Sequence, residues 1–151
     1  MTEQRLDISA LKRAAAAFDN ALAFADMVEA KPAHRLASYE LEAARASVIQ
    51  HFEFSYELCW KTMKRYIGMD LGSDADILTR KDIFRISAEK RLIDDFRRWV
   101  EFHGARNRTS HTYDAGIAGE VYAVARTFAA YLRKFVATME QRTETADDER
   151  D

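Results

Sequence analysis

The stretch over residues 38–67, SYELEAARASVIQHFEFSYELCWKTMKRYI, decides the fold of this chain. Its apolar side chains recur every three or four residues, which is the spacing of one face of an α-helix. Such a helix would be on the order of 45 Å long, the length of a bundle arm. We expect Ser38 to be its N-cap, with Glu42 behind it. The apolar stripe consists of Leu41, Ala44, Val48, Phe52, Tyr56, Cys59, Met63 and Ile67.

The same spacing predicts helices on both sides of this stretch. Pro32 ends the helix before it, because proline cannot continue a helix, and Gly68 and Gly72 mark the break after it. The remaining predicted elements are helices over residues 8–29 and 80–90, a helix that opens at Asp94 and Asp95, and a last helix that is capped by Asp114. The sequence therefore predicts an all-α fold, an up-down antiparallel bundle of four to five helices.

The composition agrees with one helical domain followed by a tail. The chain has 151 residues, of which only 5 are Gly and 1 is Pro, so it has few residues for hairpins and suits a few long helices. Residues 142–151 are charged, mostly acidic and without apolar periodicity. We expect a bundle domain over residues 1–141 and a disordered charged tail over residues 142–151.

The single cysteine and the absence of an apolar leader indicate the cellular compartment in which the protein works. Cys59 cannot form an internal disulfide, which favours a reducing environment. Residues 1–5 lack the apolar core of a signal peptide, and no segment is apolar and uncharged for long enough to cross a bilayer. We therefore expect a cytoplasmic protein without a membrane partner.

Residues 106–114, with the sequence RNRTSHTYD, form a polar segment that lacks the apolar periodicity of the predicted helices. It lies between two predicted helices. The segment combines the anion-binding guanidinium of Arg106, the amide of Asn107, the imidazole of His111 and the phenol of Tyr113. Such a run between helices is more often a solvated turn than an active site, and Asp114 fits a capping role.

The segment ends the most basic part of the chain. Residues 80–108 contain nine Lys and Arg against five Asp and Glu, although the whole chain has a net charge of −2. A local patch of this kind could hold a phosphate backbone. The weaker candidates for RNA binding are Arg97, Arg98 and Arg108.

Helix geometry alone does not determine whether Arg106 and His111 can act together. On an unbroken helix Arg106 and His111 would point about 140° apart, whereas Asn107 and His111 would share a face. Arg106 reaches His111 only if the helix ends nearby, if its side chain curls round, or if two copies of the segment meet in a dimer.

Arg106, His111 and Tyr113 form an R-x4-H-x-Y pattern, which resembles the motif of HEPN-domain proteins encoded beside minimal nucleotidyltransferases. The sequence FEFSYELCWKT over residues 52–62 is similar to the second-helix signature of that family. The resemblance extends from about residue 11 to residue 139. Members of the family are also described as nucleotidyltransferase substrate-binding proteins.

The resemblance implies a HEPN-like helical bundle that forms a homodimer, with the motif in a cleft between the protomers. It implies a metal-independent RNA endonuclease without a cofactor, with Arg106 and His111 catalytic. Asn107 could support them by orienting His111 from one helical turn away, or by donating to a phosphate oxygen. It further implies a toxin–antitoxin pair, in which the cognate minimal nucleotidyltransferase is the antitoxin and modifies Tyr113 by adenylation (AMPylation).

Two other functions remain open at this point. The chain could be a non-catalytic subunit that presents a substrate, or its own tyrosine, to the nucleotidyltransferase. It could also be a helical assembly module whose polar segment only caps helices.

The remaining polar and aromatic side chains have ordinary structural explanations. His103 would lie about 12 Å along a helix from His111, too far to share a metal ion, so we expect a structural histidine and no metal site. Glu57 and Lys61, one turn apart, predict an exposed ion-paired face. We expect Trp60 to be a core or interface aromatic, with base stacking as the minority alternative.

Overall fold

The computed structural model describes residues 6–148, with side chains to residue 144, and contains five α-helices and no β-strand in that range. The helices are α1 (Ser9–Glu29), α2 (Ser38–Leu71), α3 (Arg80–Glu89), α4 (Phe96–Arg108) and α5 (Ala115–Asp148). Short 3-10 turns occupy Ala33–Arg35, Gly72–Ile77 and Thr109–His111. The all-α bundle predicted from the sequence is confirmed. Within the described residues, no helix is long and apolar enough to span a membrane.

The ring of Phe128 on α5 lies at the centre of the core. The centroids of Phe18 on α1, Phe52 on α2, and Trp99 and Phe102 on α4 lie 6.0, 5.2, 5.7 and 5.0 Å from it, respectively. All five side chains are buried. Three of the four contacts are edge-on, an arrangement that aromatic pairs favour. Three other helices therefore meet at one residue of α5.

Helix α2 differs from the prediction at both ends. It begins at Ser38, but the N-cap is Ala37 and no side chain caps the helix, so the predicted role of Ser38 is wrong. It continues to Leu71, past the predicted end at residue 67. A single glycine such as Gly68 lowers helix stability by only about 1 kcal/mol, so the helix runs through it. The helix ends at Gly72, whose φ of +59° is readily adopted by glycine.

Two aspartates define where α4 and α5 begin. Asp95 accepts a hydrogen bond from the backbone N–H of Arg98 at 3.2 Å. Asp114 Oδ1 accepts from the backbone N–H groups of Gly116 and Ile117 at 2.9 and 3.1 Å. The cap predicted at Asp114 is confirmed, and α4 begins after Asp95, where a helix was predicted to open. Each side chain satisfies donors that a helix start leaves unpaired. The polar segment is thus bounded by the end of one helix and the cap of the next.

Helix α5 extends into the segment that we expected to be disordered. It continues to Asp148, past the predicted domain boundary at residue 141, and the disordered tail stays a prediction. Arg142 explains the beginning of this extension, because its guanidinium donates to Tyr66 Oη at 3.0 Å and to the Lys90 carbonyl at 2.8 Å. Charge and missing periodicity did not disclose these contacts with other helices. The rest of the predicted tail lies outside the described residues.

Candidate functional site

The polar segment lies where the chain leaves one helix and enters the next. Helix α4 ends at Arg108, and the 3-10 turn Thr109–His111 follows. Thr109 is buried, and its hydroxyl donates to the Arg106 carbonyl at 2.7 Å, which satisfies a carbonyl at the helix end. The helix therefore ends between Arg106 and His111, which meets one of the conditions for the two side chains to act together.

Arg106 is held by contacts from two directions. Its Nε donates to Glu57 Oε1 on α2 at 3.2 Å, and its Nη1 donates to Thr109 Oγ1 at 3.0 Å. The side chains of Arg106 and Glu57 are 33% and 30% exposed, so this ion pair is partly shielded from water. Nη2 makes no hydrogen bond with the described residues. The guanidinium is therefore oriented by the fold and retains N–H groups for an anion.

Glu57 also accepts a hydrogen bond from Trp60 Nε1 at 2.9 Å. We expected Glu57 to belong to an exposed ion-paired face with Lys61, and this prediction is wrong. The reason is the rotation of α2 in the bundle, which turns Glu57 toward α4. A helical wheel of α2 alone does not disclose which neighbouring helix supplies the positive charge.

His111 and Tyr113 are both exposed. Their ring centroids lie 6.1 Å apart with an interplanar angle of 72°, an edge-on contact. Tyr113 is 86% exposed, so its hydroxyl is accessible to another molecule. It also borders a groove of about 550 Å³ between α2 and α5, with Ile49 and Ala118 among the lining residues. An imidazole and an accessible phenol therefore lie side by side at the start of α5.

Asn107 has a different neighbour from the one that helical spacing suggests. Its Nδ2 lies 3.4 Å from Nε2 of His103, one turn earlier on α4. The helix ends at Arg108, so the four-residue spacing from Asn107 to His111 no longer places the two side chains on one helical face. A supporting role for Asn107 stays a prediction.

His103 belongs to a hydrogen-bonded group that the sequence analysis did not find. Tyr56 Oη lies 2.7 Å from His103 Nδ1, and Arg80 Nη1 donates to the same hydroxyl at 3.0 Å. Because a guanidinium only donates, the Tyr56 oxygen accepts from Arg80. The ring nitrogen of His103 that carries the proton sets the direction of its contacts with Tyr56 and Asn107.

Burial favours the neutral forms of His103 and Tyr56. It lowers the pKa of His103 below its usual value, and the nearby Arg80 guanidinium lowers it further. Burial also raises the pKa of Tyr56 far above its usual value, despite the hydrogen bond from Arg80. We call Tyr56, Glu57, Arg80, His103, Arg106 and Asn107 the polar cluster. In the sequence, only the spacing of His103, Arg106 and Asn107 on one helix indicated this cluster. Their partners lie on α2 and α3, far away in the chain.

The candidate RNA-binding arginines differ in how they are paired. Arg98 donates to Glu101 at 3.2 Å and Arg108 to Glu120 at 3.4 Å, so a nearby carboxylate offsets each charge. Arg97 is exposed and forms no salt bridge within the described residues. Among those residues, no three His, Cys, Asp or Glu side chains converge as metal ligands would. Metal-independent chemistry and RNA binding by these arginines stay predictions.

The fold and the motif define a class of protein, a helical bundle that presents R-x4-H-x-Y at a helix break. Residues 6–141 match the family model described as nucleotidyltransferase substrate binding protein like. The chain therefore belongs to the nucleotidyltransferase substrate-binding protein family, which confirms the resemblance seen in the sequence.

A curated relative and a solved structure are similar to this chain. One is the probable ribonuclease HepT of Haemophilus influenzae, 40% identical over 101 residues that cover 66% of this chain and 69% of that protein. The other is the solved structure of HI0074 from Haemophilus influenzae, described as the fold of a substrate binding domain of a nucleotidyltransferase. It superimposes with a TM-score of 0.79 at 29% identity and covers 89% of this chain and 99% of the other.

Proposed function

We propose that this protein is a metal-independent RNA endonuclease, the cytoplasmic toxin of a pair whose antitoxin is a cognate minimal nucleotidyltransferase. The observation that carries the proposal is the anchored Arg106. Its guanidinium is oriented by Glu57 and Thr109, has no partner for Nη2 among the described residues, and precedes the exposed His111 across a helix break. Support also comes from the family and from the relative named probable ribonuclease HepT.

The reaction is a transesterification within the RNA strand. The 2′-hydroxyl attacks its neighbouring phosphorus, the new 2′-O–P bond forms, and the P–O5′ bond breaks. His111 takes the proton of the 2′-hydroxyl or returns one to the leaving 5′-oxygen, because an imidazole can both accept and donate a proton. Arg106 stabilises the negative charge that gathers on the phosphate oxygens. The products are a 2′,3′-cyclic phosphate and a free 5′-hydroxyl.

A homodimer supplies the second proton-transfer group in this proposal. The attacking and leaving oxygens lie on opposite sides of the phosphorus, so one proton acceptor and one donor are needed at the same time. Two copies of His111 facing one cleft provide both groups.

Tyr113 is the control point of the proposal. The nucleotidyltransferase would transfer an adenylyl group from ATP to the Tyr113 oxygen, with release of pyrophosphate and of the phenolic proton. The exposed hydroxyl fits an external enzyme, and because the two rings are in edge-on contact, the new phosphodiester would lie near the His111 imidazole. The added bulk and negative charge would then oppose the binding of RNA.

The test is incubation of the purified, partner-free protein with tRNA and mRNA in EDTA. We expect cleavage with cyclic phosphate ends, and loss of cleavage in Arg106→Ala and in His111→Ala. Arg106→Lys keeps the charge but lacks the planar fork, so it should also be impaired. Arg35→Ala removes an exposed arginine outside the polar cluster and serves as the matched control. Intact RNA with the folded wild-type protein would refute the nuclease proposal.

A non-catalytic substrate-binding subunit is the second candidate, and the description of the HI0074 structure favours it. In that case the protein would bind its nucleotidyltransferase and leave RNA intact, and His111→Ala would spare the complex. Size-exclusion chromatography of the two purified proteins, run beside the cleavage assay, distinguishes the candidates.

A further inference from the structure

A second surface begins at Trp60, next to the polar cluster. The Trp60 indole donates to Glu57, the carboxylate that also anchors Arg106. The Arg80 guanidinium lies over the indole, 3.5 Å from the ring centroid, and the Lys61 ammonium lies 5.9 Å from it. Trp60 is only half-buried. The indole is therefore fixed in orientation while part of it remains accessible.

From Trp60 a groove of about 880 Å³ continues along the C-terminal half of α2. We call it the α2 groove. Its charged lining residues are Lys61, Lys64, Arg65 and Asp76, so three cations face one carboxylate. Only Lys64 is salt-bridged within the described residues, to Asp76 at 3.3 Å. Lys61 and Arg65 are exposed. The groove is thus positive although the chain as a whole is slightly acidic.

We propose that the α2 groove binds single-stranded RNA, with a base stacked on Trp60 and phosphates held by Lys61 and Arg65. This inference rests on the proposed nuclease function and adds the path of the substrate. An oriented aromatic ring combined with a row of cations is how proteins bind single strands without reading sequence. The Arg80 guanidinium plane offers a further stacking surface.

The position of the groove fits a substrate that continues past the cleaved bond. Trp60 and Arg106 share the carboxylate of Glu57, so a strand whose phosphate contacts Arg106 has the indole within reach of a neighbouring nucleotide. The groove then leads the strand away from the polar cluster along α2.

The first test uses an RNA that cannot be cleaved, a single-stranded 12-mer with 2′-O-methyl groups. The chain has two tryptophans, and Trp99 is buried in the core, so a change in intrinsic fluorescence on binding reports on Trp60. We expect saturable quenching. Trp60→Phe keeps an aromatic face and should bind nearly as well, whereas Trp60→Leu should bind on the order of ten-fold more weakly. Unchanged affinity of Trp60→Leu would overturn the stacking contact.

The second test does not depend on the packing of Trp60. Lys61→Glu/Arg65→Glu should lower the affinity and reduce the slope of log affinity against log salt by about 1.4, since each phosphate contact to a single strand contributes about 0.7. The control is Arg35→Glu/Arg133→Glu, which reverses two exposed arginines outside the α2 groove. Equal effects of the two double variants would overturn the inference, because whole-molecule charge would then explain binding.

The outcomes separate this inference from the proposed function. If the 12-mer binds in the α2 groove but natural RNA stays intact, the nuclease proposal fails, whereas the inference that the α2 groove binds RNA stands. If natural RNA is cleaved while the charge-reversed groove variant binds the 12-mer like the wild type, the groove inference fails alone. Binding of poly-glutamate with equal affinity and no quenching of Trp60 would identify a dock for an acidic protein segment, and would also overturn the inference.

Discussion

Replacing Glu57 by alanine tests how the fold prepares Arg106. The carboxylate accepts one hydrogen bond from Arg106 and one from Trp60, and both would be lost. A partly exposed ion pair contributes about 0.5–1 kcal/mol, and a hydrogen bond to a carboxylate about 1 kcal/mol more. We therefore expect the free energy of unfolding to fall by about 1.5–2 kcal/mol. For a chain of this length the melting temperature should drop by about 3–8 °C.

The effect of Glu57→Ala on cleavage should be larger than its effect on stability. The guanidinium would keep only Thr109 as its anchor, and misplacing a catalytic group by about 1 Å costs roughly 100-fold in rate. Glu57→Gln is the matched variant, because its amide oxygen still accepts one of the two hydrogen bonds. We expect its cleavage rate to lie between those of the wild type and Glu57→Ala.

A double-mutant cycle under single-turnover conditions is the decisive assay. If Glu57 acts by positioning Arg106, the double variant Glu57→Ala/Arg106→Ala should cleave no more slowly than Arg106→Ala alone. Additive losses would mean that Glu57 has a separate role. Wild-type cleavage by Glu57→Ala, beside an inactive Arg106→Ala, would refute the reasoning that the anchored geometry matters.

Three further predictions concern the core, the polar cluster and the modification site. Phe128→Ala removes the ring at which α1, α2 and α4 meet α5 and should lower the free energy of unfolding in urea by about 3–5 kcal/mol. A loss below about 1 kcal/mol would show that the core repacks around the gap. The pKa of His103 is lowered in the folded protein, so the unfolded protein binds more protons at this residue. The free energy of unfolding should therefore decrease as the pH falls through about 6.5 and toward the lower folded pKa. His103→Gln should flatten that pH dependence, and an unchanged profile would assign it to other groups. Tyr113→Phe should keep the melting temperature and cleavage but gain no adenylyl mass with the partner and ATP; a mass increase in this variant would place the modification elsewhere.

Much of the fold follows from local patterns along the chain. The apolar stripe of α2 was identifiable because residues three and four apart share a helical face, and most of it is buried in the bundle. Asp114 was identifiable as a cap, and Asp95 as the start of a helix, because a short polar side chain before an apolar run satisfies the free N–H groups of a helix start. Ser38 follows the same rule and does not cap, since the helix begins one residue earlier than a serine N-cap requires.

The sequence by itself determined the helical class, the family and the motif residues Arg106, His111 and Tyr113, because these depend on spacing along one chain. Only the tertiary structure decided which groups surround them. The rotation of α2 brings Glu57 to Arg106, α3 brings Arg80 to Tyr56 and His103, and Arg142 is held by the Lys90 carbonyl. Such contacts join residues far apart in the chain, and they depend on how helices rotate and cross when their apolar faces pack. The packing arrangement of the helices minimises the free energy of the whole core, so no single segment of the sequence determines it.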